Sequence, residues 1–269
     1  MIPGRRCPSI PATVRRASAG PTPSRPDSKA YGSVITSPFP VDAPDPATEP
    51  RLEALTALTY LAAVTSTVRL GVGVLVLAQR QPVLLAKQLT TLDVLSGGRL
   101  SVGIGVGYLK AELAALGANL DHRAGTTDEY LAAMVALWDG GPARFSGQHV
   151  NFDGVVQAPR PLRQPHPPII IGGHVTASFE RAARFGDGWF GWDLTPSQTA
   201  DTIATLRSAR QRSQRFEQHL EITIKPPGVL TAATVDDYTA AGAHRLIIQP
   251  DDFEASAVDH VIDSHSAWV

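Results

Sequence analysis

Seven glycines stand inside or at the ends of three short apolar runs: Gly71 and Gly73 in RLGVGVLVLA, Gly103, Gly105 and Gly107 in RLSVGIGVG, and Gly172 and Gly173 in PIIIGG. Glycine weakens a strand and packs nothing, so its return in successive strands asks for a reason. One reason is close approach: bare backbone at the carboxyl ends of neighbouring strands lets a flat ring lie across the mouth of a barrel. The other is tight packing or a bulge, which accounts equally well for any single glycine. A dinucleotide-binding turn is a poor match, because GIGVGY has Tyr108 where G-x-G-x-x-G needs its third glycine. His122, His149, His166 and His174 show no i, i+4 pairing and no cysteine companion, so no metal site is expected.

The elements that must carry these glycines alternate along the chain. Strand-like runs fall at 33–36, 68–78, 99–107, 168–173, 188–192, 221–225 and 245–249, and they read as continuous apolar stretches of parallel strands buried on both faces. Helical patterns fill the gaps at 50–66, 82–95, 108–116, 128–139, 176–185, 196–212, 236–241 and 252–266. Pro82 suits a first helical turn, and Ser96-Gly97-Gly98 stops the same helix. Between them, Asp93 and Arg99 are expected to pair or cap around that turn, while Gln79 and Arg80 stand just past a strand, where ligand or solvent contact is open. GDGW, 186–189, reads as a structural link from helix to strand.

Repeated strand–helix–strand units with short connections imply an α/β fold with a parallel sheet. Seven strands, with no β run in residues 1–30, point to a (β/α)8 TIM-type barrel that is incomplete, its first strand missing or replaced. Residues 1–30 form a Pro- and Arg-rich irregular leader, and residues 31–269 form the barrel domain. That domain has an insertion at 108–166 holding two helices and a hairpin, RFSGQHVNFDGVVQ.

Composition narrows the partners. The chain has 269 residues, with 24 basic against 25 acidic, so its formal charge of -1 gives no field for nucleic acid or anionic lipid. No run reaches the roughly 18 apolar residues of a membrane span, the leader lacks an apolar signal core, and Cys7 has no second cysteine to bond. A cytoplasmic protein acting on a small molecule is the expectation.

The block RLGVGVLVLAQRQPVLLAKQLTTLDVLSGGRLSVGIGVGYLKAELAALG, followed by APRPLRQPHPPIIIGG and RAARFGDGWF, resembles the bacterial luciferase-like superfamily, and within it the branch of F420-dependent oxidoreductases. The resemblance runs from about Tyr31 to the C-terminus. It implies a barrel, usually a homodimer, that holds a flavin or deazaflavin at the carboxyl ends of its strands. Coenzyme F420 is the implied cofactor and FMN the alternative. The implied chemistry is hydride transfer with a small organic substrate, or monooxygenation with a true flavin and oxygen.

Residue by residue, the resemblance implies a bulge with a cis Gly73–Val74 peptide behind the ring, the backbone of Gly105, Val106 and Gly107 along its border, and Gly172, Gly173 and Thr176 at its phosphate. Free N–H groups at the start of the 176–185 helix would suffice for that phosphate, although a Gly-Gly turn that only joins strand to helix is the other reading. Phe39 and Tyr108 would line the substrate pocket. Ser37, Pro38 and Phe39 occupy the places where many relatives carry Ser-Asp-His, so no catalytic residue is assigned. With that histidine and the first strand gone, a noncatalytic barrel that binds cofactor or a partner without turnover is the alternative.

Overall fold

The computed structural model describes residues 52–248 and Ser264. The leader 1–30, the strand expected at 33–36, Phe39 and nearly all of the helix expected at 252–266 lie outside the described residues.

Helix α1 (Ala54–Val64) leads into β1 (Leu70–Val76), then a short 3-10 turn (Leu77–Gln79) and α2 (Pro82–Leu95). The start of α2 is fixed by sequence: Pro82 occupies its first turn, and the Gln81 side chain accepts from Leu84 N–H at 2.6 Å. Its end is fixed by Gly97 and Gly98, whose positive φ angles lie in the left-handed region that a side chain resists. β2 (Leu100–Gly105) follows, then the insertion: α3 (Lys110–Ala115), α4 (Arg123–Trp138) and the antiparallel pair β3 (Pro142–Ser146) and β4 (Asn151–Val156). The chain then alternates through β5 (Ile169–Gly172), α5 (Thr176–Phe185), β6 (Gly188–Trp192), α6 (Pro196–Gln211), β7 (Glu221–Lys225), α7 (Ala232–Ala240) and β8 (Arg245–Leu246).

The main sheet has six parallel strands in the order β1-β2-β5-β6-β7-β8. It curls. A methyl group added at Gly73 on β1 would come within 3.8 Å of Phe190 Cε1 on β6, so the two strands face each other across the concave side. Over the described residues the architecture is a curled parallel half-barrel, in keeping with the incomplete (β/α)8 barrel expected from the strand count.

One face of the sheet meets the helices in a single core, in which Leu75, Ile104, Ile171, Trp189 and Ile224 pack with Leu85, Leu89, Leu131, Phe179 and Leu206. Each fully buried large aliphatic side chain of this layer contributes about 1.5–3 kcal/mol. Buried polar groups in the core are mostly paired. Trp138 Nε1 donates to Thr90 Oγ1 at 2.9 Å, and Arg210 donates to the carbonyls of Ala182, Ala183 and Gly186 that end α5.

Three expectations change. α4 begins at Arg123, five residues before the apolar pattern does, and α7 begins at Ala232, where Thr231 and Thr234 form a reciprocal cap. Of the two readings for Asp93 and Arg99, the ion pair does not form, whereas the cap does on the arginine side, since Arg99 Nε donates to the Ser96 carbonyl at the end of α2. Asp93 Oδ2 accepts from the N–H groups of Leu162 and Arg163, and Arg99 donates to Thr65 Oγ1 and to the carbonyls of Ala62, Thr65, Val68 and Ser96.

Candidate functional site

The glycines of β1, β2 and β5 gather around one feature. The Gly73–Val74 peptide is cis, and the β1–β2 register shifts between Val72 and Leu75. At that shift Val74 reaches across its neighbours. A Cβ at Gly105 would lie 2.5 Å from Val74 Cγ2, one at Gly172 would lie 3.0 Å from Val74 Cγ1, and one at Gly103 would lie 2.0 Å from the Val72 carbonyl oxygen. At Gly107, with φ 76°, the added atom would meet Val76 Cγ1 at 2.7 Å. So the space left by these four glycines is taken up by the bulged strand itself. Val106 follows as a half-buried residue, and Tyr108 is 72% exposed in the loop before α3.

Gly172 and Gly173 stand at the carboxyl end of β5 and lead into α5. Gly173 has φ 121°, and its carbonyl accepts from Trp189 Nε1 at 2.9 Å. Residues 173–177 are exposed. Ser178 N–H bonds to the Val175 carbonyl at 2.8 Å. The amides of Thr176 and Ala177, the first two of the helix, have no intrahelical acceptor and no hydrogen bond to another described residue. This is an anion-binding geometry. Beside it, His174 Nε2 accepts from Trp192 N–H at 2.9 Å, which assigns the proton of the neutral ring to Nδ1. Burial pushes the His174 pKa down, partly opposed by the Asp193 carboxylate.

The opposite wall was not foreseen. Register aligns Gly172 with Phe190, Phe190 with Thr223, and Thr223 with Arg245, so these residues share the sheet face that the glycines occupy. Two positions on, at the carboxyl ends of β6 and β7, Trp192 pairs with Lys225. The Lys225 ammonium lies 4.5 Å from the Trp192 ring centroid, close enough for the ring face to attract it. The same ammonium is 2.7 Å from Asp193 Oδ1. Thr223 Oγ1 is buried without a partner among the described residues. The signal was in the sequence: EITIK alternates polar and apolar, with Glu221, Thr223 and Lys225 on one side and Ile222 and Ile224 on the other. Arg80, by contrast, turns toward α1 and pairs with Glu53 Oε1 at 2.8 Å. Among the described residues no three His, Cys, Asp or Glu side chains gather as a metal site, and no helix is long and apolar enough to cross a membrane.

Chemically, the carboxyl ends of β1, β2 and β5 offer the bulged β1 strand, with Val74 seated on the glycines of β2 and β5, to a flat group, and the start of α5 offers amides to an anion. Phe190 and Trp192 add aromatic surface, with a cation beside it. These residues fit a phosphorylated planar cofactor.

Comparison with known proteins gives the same direction. The family described as luciferase-like monooxygenase matches residues 38–261. An uncharacterized protein of Mycobacterium tuberculosis is 40% identical over 139 residues, 51% of this chain and 49% of that one. The FMNH2-dependent dimethylsulfone monooxygenase of Pseudomonas putida is 35% identical over 112 residues, 40% of this chain and 31% of that one. The chain thus spans half or less of the length of these relatives. Among solved structures, the monooxygenase RslO1 of Streptomyces bottropensis is 26% identical with a TM-score of 0.58, covering 80% of this chain and 65% of its own. An F420-dependent secondary alcohol dehydrogenase shares the fold, with 15% identity, a TM-score of 0.63 and coverage of 74% and 79%.

Proposed function

The chain belongs to the luciferase-like monooxygenase family, and from that premise we propose that it is an oxidoreductase that binds coenzyme F420, or FMN as the second reading, at the carboxyl ends of its parallel strands and acts on a small organic substrate. One observation carries the reading: the Val74 bulge of β1, seated on the glycines of β2 and β5, and the unbonded amides of Thr176 and Ala177 lie at the same end of one sheet. In (β/α)8 enzymes that end is the active face. Val74, cradled by Gly103, Gly105 and Gly172, backs the ring; Gly73 and the backbone of Gly105, Val106 and Gly107 border it; Gly172, Gly173 and Thr176 receive the phosphate. Tyr108, exposed in the loop before α3, belongs to the substrate side.

The bound cofactor supplies hydride or oxygen chemistry. The chain's own part is to hold and orient. Amides at the α5 start fix the anionic end without a lysine, and Trp192 and Phe190 exclude water from the β6 side. Overall sequence resemblance supports F420 as the first reading, and an FMNH2-dependent relative supports FMN as the second. We further propose a homodimer as the working form.

Titration of the purified protein with F420 and with FMN, followed by fluorescence quenching, tests the reading. The expected result is saturable binding of one of them at one site per chain, with turnover of its reduced form. Binding without turnover would identify a noncatalytic barrel, and binding of neither would remove the cofactor site altogether. Light scattering on the eluted protein checks the dimer.

A further inference from the structure

We propose that Lys225, standing over Trp192 at the carboxyl ends of β6 and β7, is an anion subsite of the substrate pocket, so that the substrate is a small apolar molecule carrying a carboxylate. The inference rests on the proposed cofactor site and deepens it by naming the class of molecule that meets the ring.

Register puts the subsite opposite the bulge. A methyl group added at Gly73 would come within 3.8 Å of Phe190 across the concave face, and Trp192 and Lys225 pair two residues farther toward the carboxyl ends. Side chains two apart on a strand share a face, so Lys225 points to the concave side while Ile222 and Ile224 enter the helix-facing core. Its side chain is only 18% exposed. The ammonium lies 4.5 Å from the Trp192 ring centroid and 2.7 Å from Asp193 Oδ1. Among the described residues, Asp193 is the one acceptor that this three-donor group meets. Beside it Phe190 and Trp192 meet edge to face, and Trp192 remains 42% exposed. An aromatic wall with a fixed cation at its rim suits an apolar body that ends in a negative charge.

A clasp for the turn does not need this ammonium. Asp193, at φ 53°, already closes the turn through its backbone, its N–H donating to the Lys225 carbonyl at 2.8 Å. The Asp193 carboxylate is half exposed, and an ion pair with so wet a partner adds little to stability. What the pair does is hold the cation in place before a ligand arrives, which lowers the cost of binding one. A half-exposed carboxylate is also one that an incoming carboxylate can displace.

The test compares benzoate with benzamide, which has the same ring and nearly the same shape without the charge. Both are titrated into the purified full chain, with and without saturating F420 or FMN, and binding is followed by saturation-transfer NMR of the probe. The wild type is expected to bind benzoate about tenfold more tightly than benzamide. Lys225→Met, which keeps the apolar stem, is expected to abolish that preference and leave benzamide within about twofold. Asp193→Asn, which removes the competing carboxylate, is expected to tighten benzoate about threefold and leave benzamide unchanged. Melting curves show that both variants are folded. A mere clasp gives the opposite sign, with benzoate and benzamide weakening together in Asp193→Asn, and that result overturns the proposal. It is overturned as well if the wild type shows no preference for benzoate, or if the preference survives in Lys225→Met. Cofactor binding without a benzoate preference defeats this inference alone, whereas a benzoate preference in a chain that binds neither F420 nor FMN defeats the cofactor reading and leaves the anion subsite standing.

Discussion

Val74 is the residue on which the concave face turns, and the glycines around it make separable demands. At Gly105 the obstruction is a methyl of Val74, 2.5 Å from an added Cβ; at Gly103 it is the Val72 carbonyl oxygen at 2.0 Å, which no side-chain trimming can move. Overpacking of this kind costs about 1–3 kcal/mol. Gly105→Ala should therefore destabilise the protein by that amount and recover at least about 1 kcal/mol when combined with Val74→Ala. Gly103→Ala should be the more damaging change and should show little or no recovery with the same partner. Chemical denaturation of the single and double variants measures both couplings. Equal recovery at the two positions would mean that backbone at Gly103 relaxes freely, contrary to the geometry.

At the scale of elements, α5 and the α1–β2 junction carry the clearest consequences. Thr176 is the first residue of α5, a position where proline is tolerated because its amide has no helical acceptor. Val175 before it is already extended, as a residue preceding proline must be. Thr176→Pro should thus leave the melting temperature unchanged and lower phosphate and cofactor affinity about tenfold, the worth of one charge-assisted hydrogen bond; titration beside a melting curve tests this. Arg99 joins the end of α1 to the start of β2 through five acceptors, so Arg99→Met should cost roughly 2–4 kcal/mol in urea unfolding. These elements also show what the sequence discloses. α2 and α5 have the expected bounds because Pro82, the Gly97-Gly98 stop and the Gly172-Gly173 turn are local signals. α4 begins early because RAGTT has no apolar period, and its start is tied by Arg123 to a carbonyl sixteen residues away, a tertiary contact that no window of sequence contains. The glycine cluster was legible as a cluster. What fills it was not, since a bulge that throws one valine across two neighbouring strands is a property of strand register.

Across the whole molecule, two histidines at opposite ends of the sheet do the same work. His174 Nε2 accepts from Trp192 N–H at the carboxyl end of β6, and His244 Nδ1 accepts from Ile222 N–H near the amino end of β7. Both bonds need a neutral ring, and both rings are held neutral. Burial pushes the His174 pKa down against the pull of Asp193. Burial, the neighbouring His219 and the cations of Arg207 and Arg245 push His244 down against Glu221. The unfolded chain, with histidines near about 6.5, then takes up protons before the folded one does. Stability rises with pH wherever the unfolded state holds more protons, so this contribution is complete at neutral pH and is lost as pH falls from about 6.5 toward the lowered folded values. Carboxylates act elsewhere: burial opposes ionisation of Glu53, but hydrogen bonds from Thr56 and Arg80 hold it at about 2, so its contribution is lost as pH falls from the ordinary value of 4.5 toward about 2, below the window of the histidines. Asp93, raised by burial, works in the opposite direction but is common to every variant compared. Gln at 174 and Asn at 244 place an amide oxygen near the accepting nitrogen without a proton to gain. His174→Gln and His244→Asn should each preserve stability at about pH 7.5 and flatten part of the decline between about pH 6.5 and 5. The double variant should remove most of it, and thermal melts across that range would show an unchanged decline if the strand-end histidines are not its source.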